Sequence, residues 1–344
     1  MVLRVESLKI NFRLEGKECV QAVDDISFTL DQDEYLGIVG ESGCGKSTAI
    51  KSILRILPPN GEIVSGHIFY KGKDLVSLPL REMRKIRWKE ISMVSQDAMN
   101  SLNPVRRIGD QIIEVIKIHE NVRKDEALER AEGLFDLVGI EKKRIYDYPH
   151  QFSGGMRQRA MIAMALALNP SIIIADEPTT ALDVIVQYTI LKQISELRKA
   201  FKKSMIIITH DVSVVLENCG RVAVMYAGKI MEYGNTKRVF TQPCHPYTIG
   251  LKNAFPEIKG PTKDLISIPG ELPSLIHPPK GCRFFDRCPF GEERCRKEPP
   301  PIIEVGPDHF SACHFPERSE EFRNRGKSVS LWDAHDIRRC DGQG

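Results

Sequence analysis

The stretch Gly40-Glu41-Ser42-Gly43-Cys44-Gly45-Lys46-Ser47-Thr48 constrains this chain more than any other. It follows Tyr35-Leu36-Gly37-Ile38-Val39, an apolar run that reads as a buried strand. It precedes Ala49 to Leu57, a helical stretch stopped by Pro58-Pro59. Strand, glycine-rich turn and helix form the context in which G-x-x-x-x-G-K-[ST] becomes a phosphate cradle. The glycines let successive N–H groups curl inward, and the new helix adds the positive end of its dipole. In such a cradle Lys46 reaches the β- and γ-phosphates and the Ser47 hydroxyl helps to hold Mg²⁺.

The 344 residues have room for about two domains with buried cores. Charged residues make up 28% but the net charge is only +3, so the polyelectrolyte signature of a dedicated nucleic-acid binder is missing. The first residues interleave charge with apolar side chains, unlike a signal peptide. No segment approaches the ~20 apolar residues needed to span a bilayer. A cytosolic protein that needs partners to act across a membrane is therefore expected. Nine cysteines are many for that compartment, where a cluster of them points to metal or redox chemistry rather than disulfides.

Residues 1 to about 33 alternate apolar and polar through Leu3, Val5, Leu8, Ile10 and Phe12, then Val23, Ile26, Phe28 and Leu30. That period predicts an antiparallel sheet with one covered face. A hairpin is expected from Gly61 to Lys73, with the turn Lys71-Gly72-Lys73-Asp74, and a strand at Ile91–Ser95, ending at Gln96. Ile108, Ile112, Val115 and Ile116, then Leu128, Ala131, Leu134, Phe135 and Val138, recur at helical spacing, with Gly139 closing the second helix. A helical insertion over about 97–160 follows. Ser171-Ile172-Ile173-Ile174-Ala175 reads as a strand delivering Asp176 and Glu177 to the sheet edge where α/β proteins bind ligands. A helix over Val184–Phe201, a strand at Met205–Thr209 before His210-Asp211, and a hairpin around Ala227-Gly228-Lys229 complete a mostly parallel α/β core.

Between the insertion and the Asp-Glu strand lies Gln151-Phe152-Ser153-Gly154-Gly155-Met156-Arg157-Gln158-Arg159. With the P-loop before it and Asp176-Glu177-Pro178-Thr179 after it, residues 1 to about 240 resemble an ABC-type ATPase. The resemblance implies roles at matching positions. Phe12 stacks on the base, and Gly40, Ser42, Gly43, Cys44, Gly45, Lys46, Ser47 and Thr48 hold the phosphates. Ser47, Gln96 and Asp176 serve Mg²⁺, Glu177 polarises the attacking water, and His210 contacts the γ-phosphate. Asp183, in Thr180-Ala181-Leu182-Asp183, belongs to the loop that communicates between paired subunits. Ser153, Gly154, Gly155 and Met156 form the signature that closes over the ATP of a second subunit. Phe152 and Met156 depart from the commonest signature, Leu and Gln, while Ser-Gly-Gly is intact. Cys44 is read as an exposed, low-pKa thiol open to alkylation.

Gln96-Asp97-Ala98-Met99-Asn100-Ser101-Leu102-Asn103-Pro104, Phe-Ser-Gly-Gly-Met-Arg-Gln-Arg and His245-Pro246-Tyr247-Thr248 with Ala254-Phe255-Pro256 resemble ATPases of dipeptide, oligopeptide and nickel importers. Beyond them comes Cys282-x5-Cys288-x6-Cys295-x17-Cys313 among prolines that leave little room for regular structure. Four thiolates suit either tetrahedral zinc or an iron–sulfur cluster, and the absence of C-x2-C pairs argues against an ordinary zinc ribbon. The resemblance implies a structural [4Fe–4S] cluster, with Zn²⁺ as the alternative. His309 and His314 are expected to be bystanders.

The expected fold is α/β: a P-loop NTPase of the ABC type over 1–240, with an antiparallel β subdomain and a helical subdomain at about 97–160. A small irregular Cys-rich domain over 241–316 and a mobile charged tail over 317–344 would follow, Leu331-Trp332 docking on a partner. The function expected is ATP hydrolysis powering import of di- or oligopeptides, nickel or oligosaccharide import being the alternative. The implied partners are a second, related ATPase subunit forming a heterodimer, two permease subunits and an extracytoplasmic solute-binding protein, with no nucleic acid. The place of work would be the cytoplasmic face of the membrane. A soluble, non-transport ABC ATPase and a zinc module that recruits a regulator are the rival readings; the former usually carries two ATPase domains or coiled-coil arms, which this sequence lacks.

Overall fold

A computed structural model describes residues 1–96, 101–178, 187, 203–254 and 266–333. Expectations placed on Asp97–Asn100, on Asp183, on the helix over 184–201, on Phe255-Pro256 and on Cys340 lie outside the described residues. In chain order the strands are β1 (Leu3–Arg13), β2 (Cys19–Leu30), β3 (Tyr35–Val39), β4 (Gly61–Tyr70), β5 (Lys73–Asp74) and β6 (Ile91–Val94). They continue as β7 (Ile172–Asp176), β8 (Ser204–Ile208), β9 (Arg221–Tyr226), β10 (Lys229–Asn235), β11 (Ile303–Gly306) and β12 (His309–Ser311). The chain divides into two compact units, one of Met1, Leu30–Tyr35 and Ser77–Ile208, the other of Val2–Thr29, Leu36–Val76 and the residues from Thr209 onward.

In the first unit β6, β7 and β8 run parallel in the order β8-β7-β6. Every residue of β7 and β8 is buried, as strands covered on both faces must be. Helices Ile108–His119, Lys124–Leu137 and Gly154–Leu166 lie between β6 and β7 in the chain. The first two each bury one apolar stripe, Ile108, Ile112, Ile113 and Ile116, then Ala127, Ala131 and Phe135. The third is buried along most of its length from Ala160 to Leu166. Gly139, at φ 70, ends the helix Lys124–Leu137. Its N–H donates to Asp136 O and that of Ile140 to Phe135 O, the paired bonds of a Schellman stop.

In the second unit one sheet has the order β2-β1-β4-β5. The apolar positions of β1 change parity between Val5 and Leu8, while Leu3, Val5, Leu8 and Ile10 all stay buried. A bulge reconciles the two facts: Ser7 has φ 44 and the β1–β4 register slips between Glu6 and Lys9. Lys71 and Gly72, both at positive φ, make the tight turn into β5. The other strands of this unit run β11-β12-β10-β9-β3, with β3 and β9 parallel and the rest antiparallel.

The C-terminal region is more regular than its prolines suggest. β12 adds to the free edge of β10, pairing Glu232 with Ser311, and short helices cover Glu293–Lys297 and Ser319–Arg325. The reading of the last segment as a mobile tail fails for 319–333. Phe322 and Trp332 are buried, and Trp332 Nε1 donates to Gly326 O at 3.1 Å, so the tryptophan packs on its own chain, not on a partner. Two buried aromatics outweigh the charge that dominates the composition there.

Phe135 is fully buried beside Phe152, their ring centroids 6.3 Å apart. Phe135→Ala is expected to destabilise the helical subdomain by about 3–5 kcal/mol, read as a lower urea midpoint with the slope unchanged.

Candidate functional site

β3 and the helix Lys46–Ile53 hold the glycine-rich loop between them. Gly45 caps that helix at φ 101, and a Cβ there would lie 2.2 Å from Ala22 O. Only glycine allows both the left-handed turn and that approach. Lys46, 4% exposed, donates from Nζ to Gly40 O at 2.7 Å and Glu41 O at 2.8 Å. The ammonium thus sits across the mouth of the loop, where an anion would meet it. Gly228 N–H donates to Cys44 O at 2.9 Å and Glu41 N–H to Tyr247 Oη at 3.1 Å, so the loop is braced from outside. Cys44 is fully buried and burial raises its thiol pKa. The expectation of an exposed, acidic thiol is therefore wrong: its side chain points into the protein beneath the loop. Phe12, one residue before the end of β1, is half-buried against Gly61, and His210 is exposed just beyond β8. Both belong to the unit that holds the loop.

The other unit carries the acidic residues. β7 ends in Asp176, which is fully buried, followed by half-buried Glu177. Glu177 adopts φ 43, and its N–H donates to Ile208 O at 2.9 Å. A non-glycine residue in this region costs on the order of 1–3 kcal/mol. Gln96 Nε2 donates to Glu177 Oε2 at 3.0 Å, bringing together two residues distant in sequence. Ser153 caps the helix Gly154–Leu166, its Oγ accepting the Met156 N–H at 3.4 Å. Gly154 and Gly155 open the helix that follows. Phe152 is buried with Arg144 over its ring at 4.9 Å, which explains an aromatic at this place. Met156 Sδ accepts from Arg144 Nη1 at 3.5 Å.

Cys282, Cys288, Cys295 and Cys313, all buried, line one apolar cavity with Phe284 and Phe290. Burial pushes Cys282 up to about 11 and Cys313 to about 12, and raises Cys288 as well. Among the described residues, the metal-type donors that come within 4.8 Å of one another are Glu232, Cys244 and His309, not the four cysteines. That trio is already satisfied by protein hydrogen bonds. Glu232 accepts N–H bonds from Cys244 and His245 at 2.9 Å each and meets His309 Nε2 at 2.6 Å. His314 Nε2 lies 3.0 Å from Glu298 O.

A family model described as ABC transporter matches residues 23–180, and one described as oligopeptide/dipeptide transporter, C-terminal region, matches 231–295. The oligopeptide transport ATP-binding protein OppD of Escherichia coli is 46% identical over 317 residues, 92% of this chain and 93% of that protein. The dipeptide transport ATP-binding protein DppD of Lactococcus lactis is also 46% identical, over 90% of this chain and 89% of its own. The chain belongs to the ATP-binding proteins of oligopeptide and dipeptide ABC transporters. Its fold is that of an ABC-type P-loop ATPase. An ATP-binding cassette solved as a dimer in a post-hydrolysis state with ADP and Pi superposes with a TM-score of 0.62 at 25% identity, covering 68% of this chain and 98% of that one.

For a member of this ATPase family, the residues that sequence reasoning missed are Tyr247 and Arg287, which brace the loop, and Arg283, which holds the β9–β10 turn next to it. Arg283 donates to Ala227 O and, at 2.8 Å, to Asp24 Oδ2; Arg287 Nη1 donates to Glu41 Oε2 at 2.7 Å. Each arginine follows or precedes a cysteine of the cavity, the one signal the sequence offered. His245, whose pKa burial lowers to about 3, stays neutral, and its Nδ1 caps the helix Pro246–Asn253 by accepting the Tyr247 N–H at 3.0 Å.

Gly45→Ala is expected to cost about 1–3 kcal/mol of stability and to weaken MgATP binding by at least about tenfold. Thermal unfolding and calorimetric titration measure the two effects.

Proposed function

We propose that this chain hydrolyses ATP to drive the uptake of di- or oligopeptides through a membrane complex. The observation that carries the chemical part is Glu177, held in a left-handed conformation with its carboxylate met by the Gln96 amide. Glu177 polarises the attacking water, and Gln96 aligns that carboxylate. Bound Mg²⁺ would neutralise phosphate charge, with Ser47, Gln96 and Asp176 as its oxygen donors; a buried carboxylate at a sheet end suits a hard cation. Gly40, Ser42, Gly43, Cys44, Gly45, Lys46, Ser47 and Thr48 receive the phosphates, Phe12 the base, and His210 the γ-phosphate. The capped start of the helix Gly154–Leu166, with Ser153, Gly154, Gly155 and Met156, is free of acidic residues in its first turn and suits the phosphates of a second subunit. Asp183 belongs to the same cross-subunit contact.

The organisation that goes with this reading is an ATPase domain over 1–240 with a helical subdomain at about 97–160, then an importer-type extension from 241. Its partners are a related ATPase chain, two permeases and a solute-binding protein, at the cytoplasmic face of a membrane. No helix among the described residues is long and apolar enough to cross one. Peptide as the solute rests on the names of the relatives. The four cysteines suit a [4Fe–4S] cluster as soft donors lining one apolar cavity. When bound, the cluster would cross-link the extension and favour the thiolate forms that burial opposes.

Glu177→Gln is expected to bind MgATP like the wild type yet release phosphate more slowly by about a hundredfold or more in the assembled complex; normal turnover would refute the role. Anaerobically purified protein should contain about four irons and four sulfides per chain. One zinc and no colour would reject the cluster while leaving the ATPase reading intact.

A further inference from the structure

Glu41 is the second residue of the phosphate loop and is fixed at three points. Its carbonyl accepts from Lys46 Nζ at 2.8 Å, its N–H donates to Tyr247 Oη at 3.1 Å, and its carboxylate receives Arg287 Nη1 at 2.7 Å. Because the N–H is spent on Tyr247, Glu41 acts as an anchor of the loop and not as one of its phosphate donors. Its carboxylate is nevertheless a negative charge beside a site for a polyanion, which Coulomb repulsion would penalise.

Arg287 answers both problems. Its side chain is only 4% exposed, against 31% for Glu41. Nε donates to Pro269 O at 2.8 Å, Nη2 to Ile268 O at 3.0 Å, and Nη1 also reaches Tyr226 Oη at 3.3 Å. A planar guanidinium with that many acceptors has one orientation, so it fixes the direction of the Glu41 carboxylate as well as its charge. Arg287 is also the residue before Cys288, in a short 3₁₀ turn, Phe285–Arg287, that directly precedes this cavity-lining cysteine. Order in the four-cysteine module is thereby order at Arg287.

We propose that Arg287 is a positioning residue for ATP binding: the four-cysteine module sets the shape and charge of the phosphate loop through the contact Cys288–Arg287–Glu41. The module then does more than close its own fold, because whatever holds its cysteines together tunes nucleotide affinity. The inference rests on the ATP-binding reading above.

Calorimetric titration of the full chain with MgATP tests it, with native-state reactivity of the cysteines toward a thiol reagent as the check on the module. Arg287→Met leaves a bare carboxylate on a loosened loop and should raise Kd about tenfold or more, with kcat at saturating ATP within about threefold. Glu41→Gln keeps an acceptor for Arg287 and should bind within about threefold of the wild type. The double variant should recover part of the loss, since the charge left by Arg287→Met is then gone. Arg287→Lys keeps the charge without the fork and should be weakened by about threefold to tenfold. Unchanged affinity in Arg287→Met, or equal weakness in Arg287→Met and the double variant, would overturn the proposal. If Arg287→Met exposes the module's thiols, Arg287→Lys decides instead, and wild-type affinity there would overturn it too. A wild-type chain that bound no MgATP would fail the ATPase reading itself, a result distinct from either.

Discussion

Holding one short glycine-rich loop in shape at the end of β3 is the constraint on which the rest of this protein depends. Peptide N–H groups are satisfied in helices and sheets or by water, and a loop that leaves several of them converging must be prevented from closing on itself. Here one such bond forms, from Cys44 N–H to Glu41 O at 3.3 Å, and other donors reach the carbonyls as well. Lys46 takes those of Gly40 and Glu41, while Gly228 N–H takes that of Cys44. Gly45 has no room for a Cβ against Ala22 O, so the β1–β2 region, the β9–β10 turn and the C-terminal segment all press on one short piece of backbone. That crowding explains why residues far apart in sequence fall in one compact unit.

Much of this was legible because local chemistry is local in sequence. The phosphate loop, the Gly139 stop and the Lys71-Gly72 turn are each decided within a few residues, and their backbone angles follow from residue type. The parity change in β1 was visible as a pattern, but its cause, a bulge at Ser7, became evident only once β4 supplied the partner register. What the sequence could not display were contacts closed by the fold. Trp332 sits in a charged stretch and is buried because Gly250 leaves space for its ring. β12 reads as part of an irregular region and becomes a strand because the edge of β10 is open to it. Gln96 and Glu177 both stand out in the sequence, while their direct hydrogen bond depends on β6 and β7 lying side by side.

The buried charges follow one rule. Glu232 is fully buried yet meets two N–H groups and His309; Arg283 has Asp24 and a carbonyl; Arg287 has a carboxylate, a phenol and two carbonyls. A buried ion with incomplete partners would cost several kcal/mol, so each of these is a point at which segments far apart in sequence are forced to agree. In the C-terminal region this takes the place of a large apolar core. Arg287 ties this proline-rich chain to the loop and Arg283 ties it to Ala227 and Asp24.

Glu177 shows the opposite use of energy. Its φ of 43 is unfavourable for a side chain with a Cβ, and glycine would relieve it. Glycine has no carboxylate, so the position keeps the strain and offsets it with the N–H bond to Ile208 and the rigidity of two fully buried strands. The turn carries the carboxylate off the line of β7, toward Gln96, while Asp176 one residue earlier remains in the sheet and buried. Adjacent acidic residues thereby acquire different surroundings, Asp176 enclosed and Glu177 half-buried beyond the end of the strand. A strand that simply continued would have pointed them to opposite faces of the sheet and separated their tasks altogether.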